Sequence, residues 1–322
     1  MDEPGLADVL AARGRIAPHL TRTPFRPYPA LAEAVGADVW VKHENHNPTA
    51  AFKVRGGINL VSRLTPDERG RGLVTASTGN HGQSIAYAAR LYGVRATGCV
   101  PEGANPLKVA AIRALGAEIV AHGPDFDAAR EHCEHLAERD GLRYVHSGNE
   151  PHLIAGVGTA TLEMLEDVPD IDVIVVPIGG GSGAAGAAVV AKAIRPEIEV
   201  IGAQSSAAPA AHSSWHARRL VTGDMTTFAE GLATRTAFEL PQRILWRLLD
   251  DFVLVSDDDL RAATARMIAA TSSLIEPAGA AALAGALAIR DRLAGRRVAL
   301  IASGGNITLA QLRALLDGVD AG

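Results

Sequence analysis

Cysteine is nearly absent. Cys99 and Cys133 are the two in 322 residues, and their number and spacing make neither a disulfide framework nor a thiolate metal site. Cys99 lies in the apolar run 95-RATGCVP-101 and reads as a small buried hydrophobe. An excess of positive charge is also lacking. Acidic and basic residues are interspersed and the net charge is −5, which leaves no basic stripe for nucleic acid. No apolar run reaches the ~18 residues of a membrane span, and residues 1–15 have no apolar core of a secretory signal. Aromatics make up 4% of the chain, and Trp40, Trp215 and Trp246 read as packing or interface residues. The expectation left standing is a cytoplasmic enzyme or binding protein of two domains, or of one large α/β domain.

What is present is alternation. Short β-type runs at 38–44, 73–77, 95–101, 117–123, 143–148, 172–179, 198–204, 251–257 and 297–304 are separated by longer helical patterns. Several runs are unbroken and apolar, as strands covered on both faces should be. The segment 105-NPLKVAAIRALG-116 has Pro near its start and Gly past its end, a helix signature. The pattern predicts parallel sheets built from βαβ units.

Polar turns follow three of the strands. The run 179-GGGSGAAGAA-188 joins the strand 172–178 to a helix over 184–194. Its backbone N–H groups at a helix start suit a phosphate. Neither a Walker loop nor a dinucleotide fingerprint is complete there. The stretch 77-STGNH-81 brings several donors to another helix start and suits a carboxylate, although an N-cap explains part of it. The third turn is 303-SGGN-306. Strand C-termini are where open α/β sheets bind ligands. Lys53, in 47-NPTAAFKVRGG-57, is the one charged residue between Glu44 and Arg55 and opens a helix over 54–64. An amine in such a setting asks for a chemical role.

Together these motifs resemble the fold-type II pyridoxal-phosphate (PLP) enzymes, in the branch of threonine/serine dehydratases and serine racemase. The resemblance rests on 48-PTAAFKVRG-56, 77-STGNHGQ-83, 154-IAGVGT-159, 179-GGGSG-183, 276-EPAGA-280 and 303-SGGN-306, in the family's order over nearly the whole chain. It implies a tryptophan synthase β-like α/β fold of two parallel-sheet lobes with the cofactor in the cleft. The small lobe would be inserted over 50–145, between 1–49 and 146–322 of the large one. Lys53 would carry PLP covalently and remove the Cα proton. Phe52 would pack by the cofactor, Asn80 would bind its 3′ oxygen, Ser303 its ring nitrogen, and Gly179, Gly180, Gly181, Ser182 and Gly183 its phosphate. Ser77, Thr78, Gly79, Asn80 and His81 would hold the substrate carboxylate, largely by backbone N–H groups. The implied reaction is dehydration and deamination of L-threonine or L-serine to a 2-oxo acid and ammonia, by a homodimer.

This chain departs from the pattern in four places. Ala50 and Ala51 replace the usual Gly-Ser, and Ser182 replaces a glycine. Thr78 stands at the second-face position of serine racemase, which leaves racemisation open. The run 204-QSSAAPA-210 has no acid where racemase-type members bind a divalent metal, so no metal is expected there. The sequence ends soon after 303-SGGN-306, so the expectation is a catabolic form without an effector domain. His43, His46, His146 and His152 show no metal spacing; a substrate contact by His46 or Asn47 stays open. The alternatives are a dehydratase for phenylserine, hydroxyaspartate or a compatible-solute intermediate, a racemase, or a PLP-binding sensor without turnover.

Overall fold

The computed structural model describes residues 2–317. Its strands are β1 (Phe25–Pro27), β2 (Asp38–His43), β3 (Leu73–Ala76), β4 (Ala96–Val100), β5 (Glu118–Ala121), β6 (Arg143–Tyr144), β7 (Val173–Pro177), β8 (Glu199–Ser205), β9 (Asp251–Val255) and β10 (Arg297–Ala302). They form a six-stranded sheet, ordered β1-β2-β10-β7-β8-β9, and a four-stranded sheet, β5-β4-β3-β6. Every pairing is parallel except β1 with β2. The sequence pattern marks nine of these strands. β1 has no such signal: it is three residues long, with Arg26 and Pro27 exposed. Its proline is tolerated because it lies on an edge strand.

The unbroken apolar runs are covered on both sides, as parallel strands require. Along β7, Ile174 and Val176 join one buried cluster, with the helices Pro151–Asp167 and Ser182–Ile194. Val173 and Val175 join the other, with the helix Pro277–Ala288. A smaller core under the four-stranded sheet holds Val74, Cys99, Cys133 and Leu136. Both cysteines are free and buried, as a small hydrophobe should be. The helix Pro106–Ala114 forms where expected, capped by Asn105, whose Oδ1 accepts from the Leu107 N–H at 3.0 Å.

One helix sets the spacing of the whole site. Pro151–Asp167 packs between the helix Lys53–Ser62 and the helix Ser182–Ile194. A Cβ at Gly156 would lie 2.6 Å from the Arg55 carbonyl oxygen. A Cβ at Gly186 would lie 2.9 Å from the Gly158 nitrogen. The stretch 154-IAGVGT-159 is thus the place where three backbones approach one another, and side chains there would push Lys53 away from the glycine turn.

Candidate active site

The loop carrying Lys53 is stitched to the turn that follows β10. The Phe52 N–H donates to the Ser303 carbonyl at 3.0 Å, and the Gly305 N–H donates to the Ala50 carbonyl at 2.9 Å. An isolated bridge pairs Ala51 with Gly304. Ala50 has φ +50°, a left-handed conformation that costs a residue with a Cβ about 1–2 kcal/mol. The glycine usual at this position in the resembled family would adopt it without that cost.

Behind the loop lies a buried charge network. Arg55 donates to Glu44 and to Glu163, each at 2.7 Å, and Lys42 donates to Glu163 at 2.6 Å. The Thr23 hydroxyl donates to Glu44 at 2.6 Å. The Arg55 guanidinium offsets the burial of Glu44 and holds its carboxyl at about 2. The network ties β2 and the lysine helix to the helix Pro151–Asp167. Asn47 donates to the Glu44 carbonyl and carboxylate at 2.9 Å, so its amide nitrogen holds the turn. His46 bonds the Ser273 hydroxyl at 3.0 Å and stacks on His43.

Lys53 lies deep in the fold with its side chain open in part to the cleft. Nζ donates to the Ser182 hydroxyl at 2.8 Å and to the Ser147 carbonyl at 3.1 Å. It stands 5.2 Å from the centre of the Phe52 ring. Among the described residues it pairs with no carboxylate. Desolvation therefore lowers its pKa to about 8.

The glycine turn follows β7 and leads into the helix Ser182–Ile194, with Gly181 at φ +88°. A Cβ at Gly180 would be 2.1 Å from the Phe238 ring, and one at Gly179 would be 2.4 Å from the Gly231 carbonyl oxygen. At Gly179 and Gly180 there is room only for backbone, at the positive end of a helix dipole. A Cβ at Gly183 would lie 3.1 Å from the Phe52 ring, so Phe52 packs against the turn. Ser303 is buried at the C-terminal end of β10.

After β3, the Ser77 hydroxyl accepts from the Gly79 N–H at 3.2 Å. Thr78 is half-buried, Gly79 precedes the helix Asn80–Leu91, and Asn80 begins it. The Asn80 amide donates to Glu276 and accepts from Asn306, both at 2.7 Å. The His81 ring is buried and bonds the Thr75 hydroxyl at 2.9 Å. Burial, then the nearby Lys53 charge, lowers its pKa to about 3. Its Nε2 is committed to β3, while its buried Nδ1 has no hydrogen-bond partner among the described residues.

Sequence reasoning missed Phe238, which wedges between the glycine turn and Gly148; a Cβ at Gly148 would lie 2.3 Å from its ring. It named His146 without assigning it a contact; its Nδ1 accepts from the Gly148 and Asn149 N–H groups, both at 3.0 Å. Its ring meets the Phe238 ring edge to face, 4.7 Å between centres. After β8, where the local run has no acid, the Asp257 carboxylate arrives from another element. It accepts from the Ser205 and Thr227 hydroxyls, each at 2.7 Å. The residues around Phe238 have no periodicity that could have announced it. Glu276 and Asn306 lie inside recognisable motifs, but nothing in the spacing assigns them to Asn80.

A family model described as "Pyridoxal-phosphate dependent enzyme" matches residues 16–304. The chain is 35% identical over 314 residues to the L-threonine ammonia-lyase of Thermotoga maritima, covering 97% of this chain and 78% of that one. It is 33% identical to the L-threo-3-hydroxyaspartate ammonia-lyase of Saccharomyces cerevisiae, covering 99% and 98%. The structure of the processed form of threonine deaminase isoform 2 from Solanum lycopersicum superposes with a TM-score of 0.93 at 31% identity, covering 98% and 92%. A partly buried amine beside a glycine turn, within a match that runs over most of the chain, places this protein in the pyridoxal-phosphate dependent enzyme family, with the fold-type II architecture and the cofactor dependence of that family.

Proposed function

We propose that this enzyme dehydrates and deaminates a small β-hydroxy amino acid, L-threonine or L-serine, to a 2-oxo acid and ammonia. The observation that carries the reading is Lys53: a partly buried amine, free of any carboxylate partner among the described residues, with a pKa lowered to about 8 beside the glycine turn. The similarity to the L-threonine ammonia-lyase of Thermotoga maritima supports the substrate class.

The residues present fit PLP. In the turn Gly179–Gly180–Gly181–Ser182–Gly183 the Cβ positions of Gly179 and Gly180 are taken by neighbouring protein atoms, so these glycines offer only backbone, and the N–H groups of the turn suit the phosphate. Phe52 packs against the turn, Asn80 would meet the ring oxygen, and Ser303 the ring nitrogen. When bound, PLP supplies the electron sink for the charge that develops at Cα, and a serine at its ring nitrogen favours quick elimination over a long-lived carbanion.

The protein's own groups do the rest. Lys53 would hold the cofactor, and its Nζ, once free, would take the Cα proton. Its position beside the Ser182 hydroxyl gives that proton a neighbour to exchange with. Ser77, Thr78, Gly79, Asn80 and His81 hold the substrate carboxylate, chiefly through backbone N–H groups at a helix start. The Thr78 hydroxyl stands in the same turn, where it can serve as a second proton-handling group. The reading includes a small lobe over 50–145 inserted in a large lobe of 1–49 and 146–322, and a cytoplasmic homodimer. The contiguity of β3 to β6 supports the first; family resemblance carries the second.

The deciding experiment is 2-oxo acid release by the PLP-loaded protein from L-threonine, L-serine, D-serine, threo-phenylserine and 3-hydroxyaspartate, with Lys53→Ala as control. Turnover of L-threonine or L-serine that vanishes in the control is the expected result. Turnover confined to another member of the panel, or none, would overturn the substrate assignment.

A further inference from the structure

Glu276 is a buried carboxylate, 8% exposed, that makes no salt bridge among the described residues. Its Oε1 accepts from Asn80 Nδ2 at 2.7 Å. The charged groups facing it across the adjoining cavity are Lys108, Glu230 and Arg261. None neutralises it: Lys108 pairs with Glu230, and Arg261 lies 4.8 Å over the Phe228 ring. Burial pushes the Glu276 carboxyl up to about 7.

The Asn80 amide is held at both ends. Its oxygen accepts from Asn306 Nδ2 at 2.7 Å, and Asn306 also donates to the Thr49 carbonyl at 2.8 Å. A primary amide has two N–H donors, so one of them is left after Glu276 has taken the other. An ionised carboxylate only accepts, and it therefore draws the amide nitrogen toward itself. A protonated one is a weaker acceptor, and the hold on the amide then falls mainly to Asn306. The same carboxylate abuts the turn after β10. A Cβ on Gly304 would lie 2.1 Å from Glu276 Oε1, and the Glu276 N–H donates to the Gly304 carbonyl at 3.0 Å.

We propose that Glu276 is a positioning residue for the cofactor: its carboxylate fixes the Asn80 amide so that the remaining N–H is offered to the ring oxygen, while it braces the turn that carries Ser303. The inference rests on the proposed function, because it takes Asn80 and Ser303 as cofactor partners. Asn306 completes the clamp from the other side of Asn80. Asn80 begins a helix that packs on the four-stranded sheet, whereas Glu276 and Asn306 belong to elements around the six-stranded one. The clamp thus ties the two halves of the site together.

The test is PLP retention by the loaded full chain, read as a dissociation constant and as the absorption band of the bound cofactor, from about pH 6 to about pH 8. Glu276→Gln keeps the shape but exchanges the charged acceptor for a neutral amide, leaving Asn306 as the main hold on the Asn80 amide, and it should weaken retention about tenfold, the worth of one hydrogen bond to a charged group. In the Asn80→Ala background the same change should add less than about twofold, because the two residues act as one unit. Wild type should hold PLP more tightly as Glu276 ionises above about 7, and Glu276→Gln should lose that part of the profile. Any contribution of Lys53 is common to both proteins, so the difference between the profiles is diagnostic. Asn306→Ala should weaken retention in the same direction, which covers the case of a Glu276 variant that melts early. Unchanged retention in Glu276→Gln, or a full tenfold loss that persists without Asn80, would overturn the inference. A wild-type chain that retains no PLP would overturn the proposed function itself.

Discussion

At the scale of the residue, Lys53 shows how a fold changes the chemistry of an amine. Removing water penalises the ammonium more than the neutral amine, and the oxygens of Ser182 and Ser147 offset only part of that penalty. The resulting pKa of about 8 sets a sign. Below it the amine is protonated and cannot attack the cofactor aldehyde; above it the amine is free. The rate of PLP capture by cofactor-stripped protein should rise up to about tenfold per pH unit and level off above about 8. Stopped-flow absorbance measures it, and a rate independent of pH would contradict the assignment. Ser182→Gly removes an acceptor that favours the ammonium, so the break in the profile should move to lower pH. Lys53 was legible in the sequence because its apolar neighbours give an ordinary lysine no reason to be there. Phe238 was not legible, because a wedge is defined by the surfaces it meets and those come from distant segments. The His81 imidazole was half legible: its position in the turn could be read, but its commitment to Thr75 depends on the rotamer.

At the scale of the element, the glycine turn and its packing carry the information. Nine strands could be read because unbroken apolar runs have one common use in a parallel sheet. β1 could not, since its pairing with β2 depends on register rather than composition. The turn itself was recognisable, but the reason each glycine is needed appears only in space. Gly180→Ala places a methyl 2.1 Å from a movable ring, whereas Gly179→Ala places one 2.4 Å from the Gly231 carbonyl oxygen of the backbone. Both variants should lose PLP affinity by at least about tenfold. Adding Phe238→Ala should restore much of the loss in Gly180→Ala and little in Gly179→Ala. Titration of the four proteins with PLP checks this, and equal rescue of both would show that the ring is not the obstacle.

At the scale of the whole molecule, the buried network of Lys42, Glu44, Arg55 and Glu163 joins segments from across the sequence. Removing its central cation strands Glu44 and leaves Glu163 with Lys42 alone. Arg55→Met should destabilise the fold by about 3–5 kcal/mol near neutral pH, measured by denaturant unfolding. The loss should narrow as pH falls, because a protonated Glu44 no longer needs the cation. In the wild type the sign is the usual one for a carboxyl held low. The stability from Glu44 is complete above its unfolded pKa of about 4.5 and is lost as pH falls toward about 2. A loss independent of pH would place the stabilisation in packing instead.

The order of strands has a further consequence, for synthesis. β10 lies between β2 and β7, so β2 gains its second neighbour only when the last strand is made. Strands β3 to β6 are contiguous and can pair as they leave the ribosome. The antiparallel pair of β1 and β2 cannot complete its sheet, and its open edge waits while roughly 250 residues are translated, roughly 10–50 s at about 5–20 residues per second. An apolar strand edge exposed for that long invites chaperones and neighbouring nascent chains. Substitutions in β2 and β10 should therefore change the yield of folded protein in the cell before they change what the finished enzyme does.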